Sequence, residues 1–267
     1  MGASDLAAPT EYPELNHVLH ELVRSVQGIL NRNFIGAYLQ GSFAVGEYDL
    51  HSDVDWAIVV AEELSERQVG DLQIMHENLY DLDTHWAQHL EGSYFPQDIL
   101  RDLSQRGGEL WFLDNGSRAL IRSDHCNTVV VRWVLREKGI PLAGPPADTL
   151  IAPISGEVLR QEIAEVIEEW GQEILANPGR FNNRFYQGFI VLSYCRMLHS
   201  LQMGRVESKL AGAEWVKSNL DPSWIELIDG TWETRPNPAL SVRQAADPEA
   251  FAATLQFIQY CIEESRR

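Results

Sequence analysis

The segment Gly41–Val60 reads GSFAVGEYDLHSDVDWAIVV, a Gly-Ser pair joined to an Asp-x-Asp pair across a ten-residue spacer. The Asp pair opens an apolar run, Trp56-Ala57-Ile58-Val59-Val60, whose composition predicts a strand. Residues two apart in a strand share a face, so Asp53 and Asp55 project side by side. Two carboxylates that close repel and shift one another's protonation. A hard dication removes that conflict, and oxygen ligands suit magnesium. Gly41 lets backbone approach a phosphate, and the Ser42 hydroxyl can donate to a phosphate oxygen. An Asp-x-Asp pair standing alone is more readily a strand-edge cap that binds nothing. The ordered set of strand, Gly-Ser, spacer, Asp-x-Asp and a later acid on a strand argues for the site. That acid is Glu91, within HLEGSYF. If its strand neighbours the Asp53/Asp55 strand, Glu91 faces the same ions, to ligate one or to act as a general base.

Upstream, Leu15, Val18, Leu19, Leu22, Val23, Val26 and Leu30 recur at helical spacing. FIGAYLQGS predicts a strand running into a Gly-Ser turn, and FAVGEYDLHS a short loop. Leu64 to about Tyr80 predicts a helix, and YDLDTHWAQHLEGSYF holds the next strand. This alternation indicates an α/β or α+β unit. Residues 139–156, GIPLAGPPADTLIAPISG, carry four Pro and three Gly, a composition that breaks helices and strands and sets a boundary near residue 150. Beyond it the signal is helical. EVLRQEIAEVIEEWGQEIL sets Val158, Ile163, Val166, Ile167 and Trp170 on one stripe, and NRFYQGFIVLSYCRMLHSLQMG ends at Gly204, a C-cap residue. SKLAGAEWVKSNL and PEAFAATLQFIQYCIEES predict further helices. The expected architecture is α+β: residues 1–150 a mixed sheet with flanking helices, residues 151–267 an all-α bundle.

Composition narrows the function classes. The 267 residues carry 21 Lys+Arg against 39 Asp+Glu, a net charge of −18, which leaves no spare positive charge for gripping nucleic acid. It favours a cationic partner, or simply solubility. Hydrophobic content of 45% supports a core rather than disorder. The N-terminus has neither a basic nor an apolar signal region, Leu6 fits poorly with acylation at Gly2, and no run is long enough for a membrane span. Cys126, Cys195 and Cys261 are odd in number and far apart, against a disulfide framework. The chain reads as cytoplasmic and reduced. His17/His20 and His85/His89 are loose pairs without nearby cysteine, which speaks against zinc. Asp124 or Asn127 is a candidate helix cap, and His125 either faces an acceptor or is packed.

GSFAVGEYDLHSDVDWAIVV resembles the GS-x(10)-DxD signature of the polymerase-β-like nucleotidyltransferase superfamily, which passes a nucleotidyl group from a nucleoside triphosphate using two magnesium ions. KGIPLAGPPADTLIAPIS resembles the segment joining the domains of streptomycin/spectinomycin adenylyltransferases, and LSYCRMLHSLQMGRVESKLAGAEWV resembles a helix pair of their C-terminal domain. The resemblance implies that Asp53 and Asp55 bind magnesium and that Glu91 is the catalytic base. Arg196 and Lys209, thirteen residues apart, would reach the triphosphate, with Ser42 and Ser52 on the phosphate side. Trp170 matches a stacking residue for the acceptor, and is equally readable as a core tryptophan beside a solvated acidic face. Asn182, Asn183 and Tyr186 stand where the family carries acidic and polar contacts.

The implied function is magnesium-dependent transfer of AMP from ATP to a hydroxyl of a small cationic acceptor, an aminoglycoside such as streptomycin or spectinomycin, by a monomer. Two alternatives remain open. One is the same chemistry on another small molecule or a protein hydroxyl. The other is a non-catalytic, antitoxin-like module of this fold.

Overall fold

A computed structural model of the protein describes residues 8–50, 52–234 and 244–267. Gly2 and Leu6, considered above for acylation, lie outside the described residues, as does His51 of the spacer. The chain divides into two compact units, Met1–Pro153 and Ile154–Arg267.

In the first unit, α1 (Pro13–Leu30) buries Leu15, Val18, Leu19, Leu22, Val26 and Leu30. Val23, expected on that stripe, is only partly buried. Six strands among the described residues form one sheet: β1 (Phe34–Leu39), β2 (Val54–Val60), β3 (Leu90–Pro96), β4 (Leu110–Leu113), β5 (Leu120–Ser123) and β6 (Ile140–Ala143). Their order is β5-β4-β3-β2-β1-β6. Only the β2–β3 pairing is parallel, so the sheet is mixed, as expected. β2 is central, and its residues Val54 and Trp56–Val60 are buried. A strand covered on both faces reads as a continuous apolar run rather than an alternating one.

The Gly-Ser pair and the first residues of the expected loop form a short helix instead, α2 (Gly41–Val45), ended by Gly46 in the left-handed conformation. The turn-forming residues act as the helix's boundaries. α3 (Glu66–Tyr80) starts two residues later than Leu64 because Ser65 and Gln68 form a capping box. α4 (Gln97–Arg101) follows β3, and α5 (Val129–Lys138) follows β5. The cap of α5 is Thr128, whose side chain accepts from the Val131 amide. Asp124 and Asn127 therefore do not cap it, and Asn127 is instead buried, donating to Gln105 O and Gly108 O at 2.9 and 2.7 Å. β6 lies inside the Pro/Gly-rich stretch expected to break strands. It survives at the sheet edge, pairing among the described residues only with β1, where a proline such as Pro141 costs no ladder bond on the open side.

The second unit is helical among the described residues: α6 (Gly156–Ala176), α7 (Pro178–Phe181), α8 (Arg184–Met203), α9 (Lys209–Asn219), α10 (Ile225–Glu233) and α11 (Pro248–Ser265). The buried stripe of α6 is Leu159, Glu162, Ile163, Ile167, Gly171 and Ile174. Val158 and Val166 are each 38% exposed, so the expected stripe is rotated toward Leu159 and Ile174. α8 buries residues around most of its circumference, as a central helix must. It ends on Gly204 at φ 65, the expected C-cap. Cys126, Cys195 and Cys261 are free, buried thiols. Among the described residues no helix is long and apolar enough to cross a membrane.

Candidate active site

The sheet brings the acidic residues together through backbone register. β3 neighbours β2 in parallel, with Asp55 opposite Glu91. Residues paired in this way project from the same face, so the two carboxylates are neighbours. Asp53 immediately precedes the first residue of β2, two positions before Asp55. The entry to β2 is pinned by Val54 N donating to His89 O at 2.8 Å.

The end of β1 closes over this point. Leu39 pairs with Trp56, and Gln40 N donates to Asp55 O at 2.8 Å, which carries Gly41 to the Asp55 side chain. Gly41 adopts φ +60, and a Cβ at that position would stand 1.9 Å from Asp55 Oδ2. Both the conformation and the close approach require glycine. Next to it, the Ser42 hydroxyl is buried without a hydrogen-bond partner. A buried hydroxyl in that condition is an unmet donor and acceptor, placed one residue from the carboxylate contact. Ser52 closes the turn before Asp53, accepting from Asp49 N at 2.9 Å.

Two further residues meet these carboxylates: Asn115, not singled out from sequence, and His125, read there as facing an acceptor or packed. Asn115, in the β4–β5 turn, donates its amide to Asp53 Oδ1. His125 Nε2 lies 3.3 Å from Glu91 Oε1. The bond to Glu91, reinforced by the charges of Glu91, Asp114 and Asp55, raises the His125 pKa above its ordinary value. The His125 ring also packs at 5.3 Å against that of Phe112. The choice left open for His125 thus resolves toward the acidic cluster rather than the interior. Neighbouring Cys126 is inert by comparison, its thiol pushed up to about 12 by burial. Sequence spacing could not have linked Asn115 to Asp53 or His125 to Glu91, since they come from a turn and a loop distant in the chain.

Among the described residues no group of three or more His, Cys, Asp or Glu side chains is drawn together as a ready metal cage. The donor set nevertheless fits magnesium: Asp53, Asp55 and Glu91 offer hard oxygen where β2 and β3 begin, and magnesium is ordinarily held by one or two carboxylates with the rest of its shell from water and phosphate. The orphaned Ser42 hydroxyl is the matching donor for a phosphate oxygen.

In the second unit, Arg196 is on α8 and Lys209 opens α9. These helices meet so closely that a Cβ on Gly212 would stand 2.6 Å from Arg196 Cα. Lys209 Nζ lies over the Phe189 ring, 4.4 Å from its centroid. Trp170 stacks on Tyr194 at 5.5 Å and meets Phe189 edge-on at 5.9 Å, leaving it half-buried in the same aromatic group that carries Lys209. Asn182 is exposed, and Asn183 caps α8 by accepting from Tyr186 N at 2.9 Å. Tyr186 packs edge-on against Phe181 at 5.3 Å. Asn182 lies in the turn between α7 and α8, and Tyr186 joins the Trp170–Phe189–Lys209 group through Phe185, whose ring is 5.4 Å from that of Tyr186 and 5.6 Å from that of Phe189.

Residues 149–256 match the family described as aminoglycoside adenylyltransferase, C-terminal domain. A solved structure of the spectinomycin adenyltransferase AAD(9) from Enterococcus faecialis, with ATP and spectinomycin, is similar to this chain at a TM-score of 0.69 and 14% identity, covering 94% of this chain and 99% of that one. At that identity the likeness shows the fold. A comparison with curated proteins finds no match. The family match thus covers residues 149–256, the greater part of the helical unit, and the likeness to the adenyltransferase structure is one of fold.

Proposed function

We propose that this protein transfers AMP from ATP to a hydroxyl of a small cationic acceptor, an aminoglycoside such as streptomycin or spectinomycin, with magnesium. In this reading residues 1–150 form the nucleotidyltransferase domain and residues 151–267 the helical domain, acting as a cytoplasmic monomer. The observation that carries it is the register of Asp55 with Glu91, beside Asp53 and the Gly41–Ser42 pair. The neighbouring fold was solved with ATP and spectinomycin, which supports both the co-substrate and the acceptor class. The net charge of −18 suits a cationic acceptor.

Asp53 and Asp55 would hold two magnesium ions, with Glu91 contributing to one. Magnesium, when bound, offsets the charge that develops on the α-phosphate and orients it. Glu91 takes the proton of the acceptor hydroxyl as that oxygen forms its bond to the α-phosphorus. The bond from the α-phosphorus to the bridging oxygen breaks, and pyrophosphate leaves with the electron pair. His125 holds the Glu91 carboxylate in place from one side through its Nε2. Gly41 admits the backbone to the phosphates and Ser42 donates to them, with Ser52 at the rim. Arg196 and Lys209 supply the fork and the point charge for the departing phosphates. Trp170 stacks on the acceptor, with Asn182 and Tyr186 as polar and aromatic contacts.

The test is incubation of purified protein with ATP, magnesium and each of a panel of aminoglycosides, read by mass spectrometry for an AMP adduct. A streptomycin or spectinomycin adduct supports the reading. No adduct on any acceptor, with nucleotide still bound, refutes the acceptor class. Glu91→Gln should abolish turnover and keep nucleotide binding, and unimpaired turnover would dismiss Glu91 as the base.

A further inference from the structure

Asp55 and Asp53 are held in different ways. Asp55 lies inside the β2 ladder, paired with Glu91 and crowded by Gly41, so its direction is fixed by backbone. Asp53 stands ahead of the strand and needs a side-chain partner to fix its carboxylate. Asn115 reaches it across 62 positions of sequence, from the turn Asp114-Asn115-Gly116. An asparagine before a glycine in a tight turn ordinarily spends its side chain on the local backbone. This one is directed instead at Asp53 on one side and at His89 Nδ1, 3.1 Å away, on the other.

The chemistry of the three groups fixes the direction of each bond. A carboxylate only accepts, so the Asn115 Nδ2 must face Asp53. The Asn115 Oδ1 then only accepts, so His89 Nδ1 carries the proton and donates to it. The relay runs from His89 through Asn115 to Asp53, each donor polarising the next. An amide is suited to the place: an arginine would neutralise the carboxylate and compete with a cation, whereas asparagine orients it and leaves its charge intact.

We propose that Asn115 is a positioning residue which, oriented by His89, fixes the Asp53 carboxylate for the metal that carries the nucleotide. This rests on the reading of Asp53 as a metal ligand. Partners of this kind, bonded to the ligands rather than to the ion, characteristically change metal affinity by about 10–100-fold when removed.

The experiment measures Mn2+ binding to the full-length protein by electron paramagnetic resonance, with a non-hydrolysable α,β-methylene ATP analogue present. Asn115→Ala is expected to weaken Mn2+ about 10-fold or more, and His89→Ala to weaken it in the same direction. His89→Asn, which returns an amide N–H near the position of Nδ1, should recover most of the loss, as a merely structural role for the imidazole would not. In an Asp53→Ala background, Asn115→Ala should produce no further loss. If Asp53→Ala binds Mn2+ like the parent protein, the assignment of Asp53 itself fails. If Asp53→Ala loses Mn2+ while Asn115→Ala keeps parental affinity, the positioning role alone is overturned. Should Asn115→Ala not fold, His89→Ala decides: parental Mn2+ affinity there overturns the relay.

Discussion

Replacing Gly41 with alanine separates two costs that the structure keeps distinct. The first is conformational. At φ +60 an alanine in place of glycine loses about 1 kcal/mol through its Cβ, equivalent to about 2–4 °C in melting temperature for a chain of this size. The second is steric and specific to the carboxylates. The new Cβ would stand 1.9 Å from Asp55 Oδ2, and non-bonded separations below 3.0 Å are essentially unknown for such carbons, so the carboxylate must retreat by about 1.1 Å. Misplacement of a reacting constellation by about 1 Å costs on the order of 100-fold in rate. Gly46 supplies the control. It sits at φ +84, and a Cβ there meets nothing within 4 Å, so Gly46→Ala carries the conformational cost without the collision. The two variants should therefore melt within a few degrees of each other, while AMP transfer falls about 100-fold only in Gly41→Ala. Turnover in Gly41→Ala within about threefold of the parent, or an equal loss in both variants, would refute the argument that Gly41 is glycine for the sake of Asp55.

Two further predictions concern stability. His76 is buried against Tyr94, 2.8 Å from its hydroxyl, and burial lowers the histidine pKa from 6.5 to about 3. Below pH 6.5 the unfolded chain takes up a proton that the folded chain resists, so stability falls as pH drops from about 6.5 toward 3; His76→Gln should make the melting temperature fall less steeply across that window, and equal slopes would count against the assignment. Arg132 is buried on α5 and donates to the carbonyls of Leu100, Thr128 and Ile99 at 3.2, 3.1 and 2.9 Å. Arg132→Met should cost about 3 kcal/mol or more, since it strips charge-assisted bonds from buried carbonyls, lowering the melting temperature by roughly 6–12 °C in calorimetry.

What the sequence made legible was what backbone periodicity controls. The apolar run Trp56–Val60 could not stay out of the core. Gly204 ends α8 because its φ of 65 suits glycine, a local fact readable locally. The losses came where tertiary context overrode local rule. The Pro-rich stretch holds β6 because an edge position excuses Pro141. The α6 stripe is displaced because Val158 and Val166 look outward, each 38% exposed, while Glu162 turns in. Asn115, and the bond of His125 to Glu91, were hidden for a different reason. Each acts on a carboxylate from another part of the sheet, and no spacing rule links residue 53 to residue 115 or residue 91 to residue 125. Gly41 was read as room for a phosphate; its contact with Asp55 adds a second demand on the same missing side chain.

These two ways of holding a carboxylate make the number of metal ions testable. Gly41 constrains Asp55, and Asn115 constrains Asp53, through separate contacts. If both carboxylates grip one shared ion, freeing either of them already loosens it, and freeing the second removes little more. The losses in Mn2+ affinity from Gly41→Ala and Asn115→Ala would then fall short of adding in free energy. If each carboxylate serves chiefly its own ion, the perturbations are independent, and independent sites add to within about 0.5 kcal/mol. With two ions per nucleotide, as proposed, Mn2+ titration of the parent protein should saturate at two equivalents and the double variant should approach additivity. A single equivalent together with marked sub-additivity would replace the two-ion arrangement with one bridging ion, and would leave the assignment of Asp53 and Asp55 as its ligands standing.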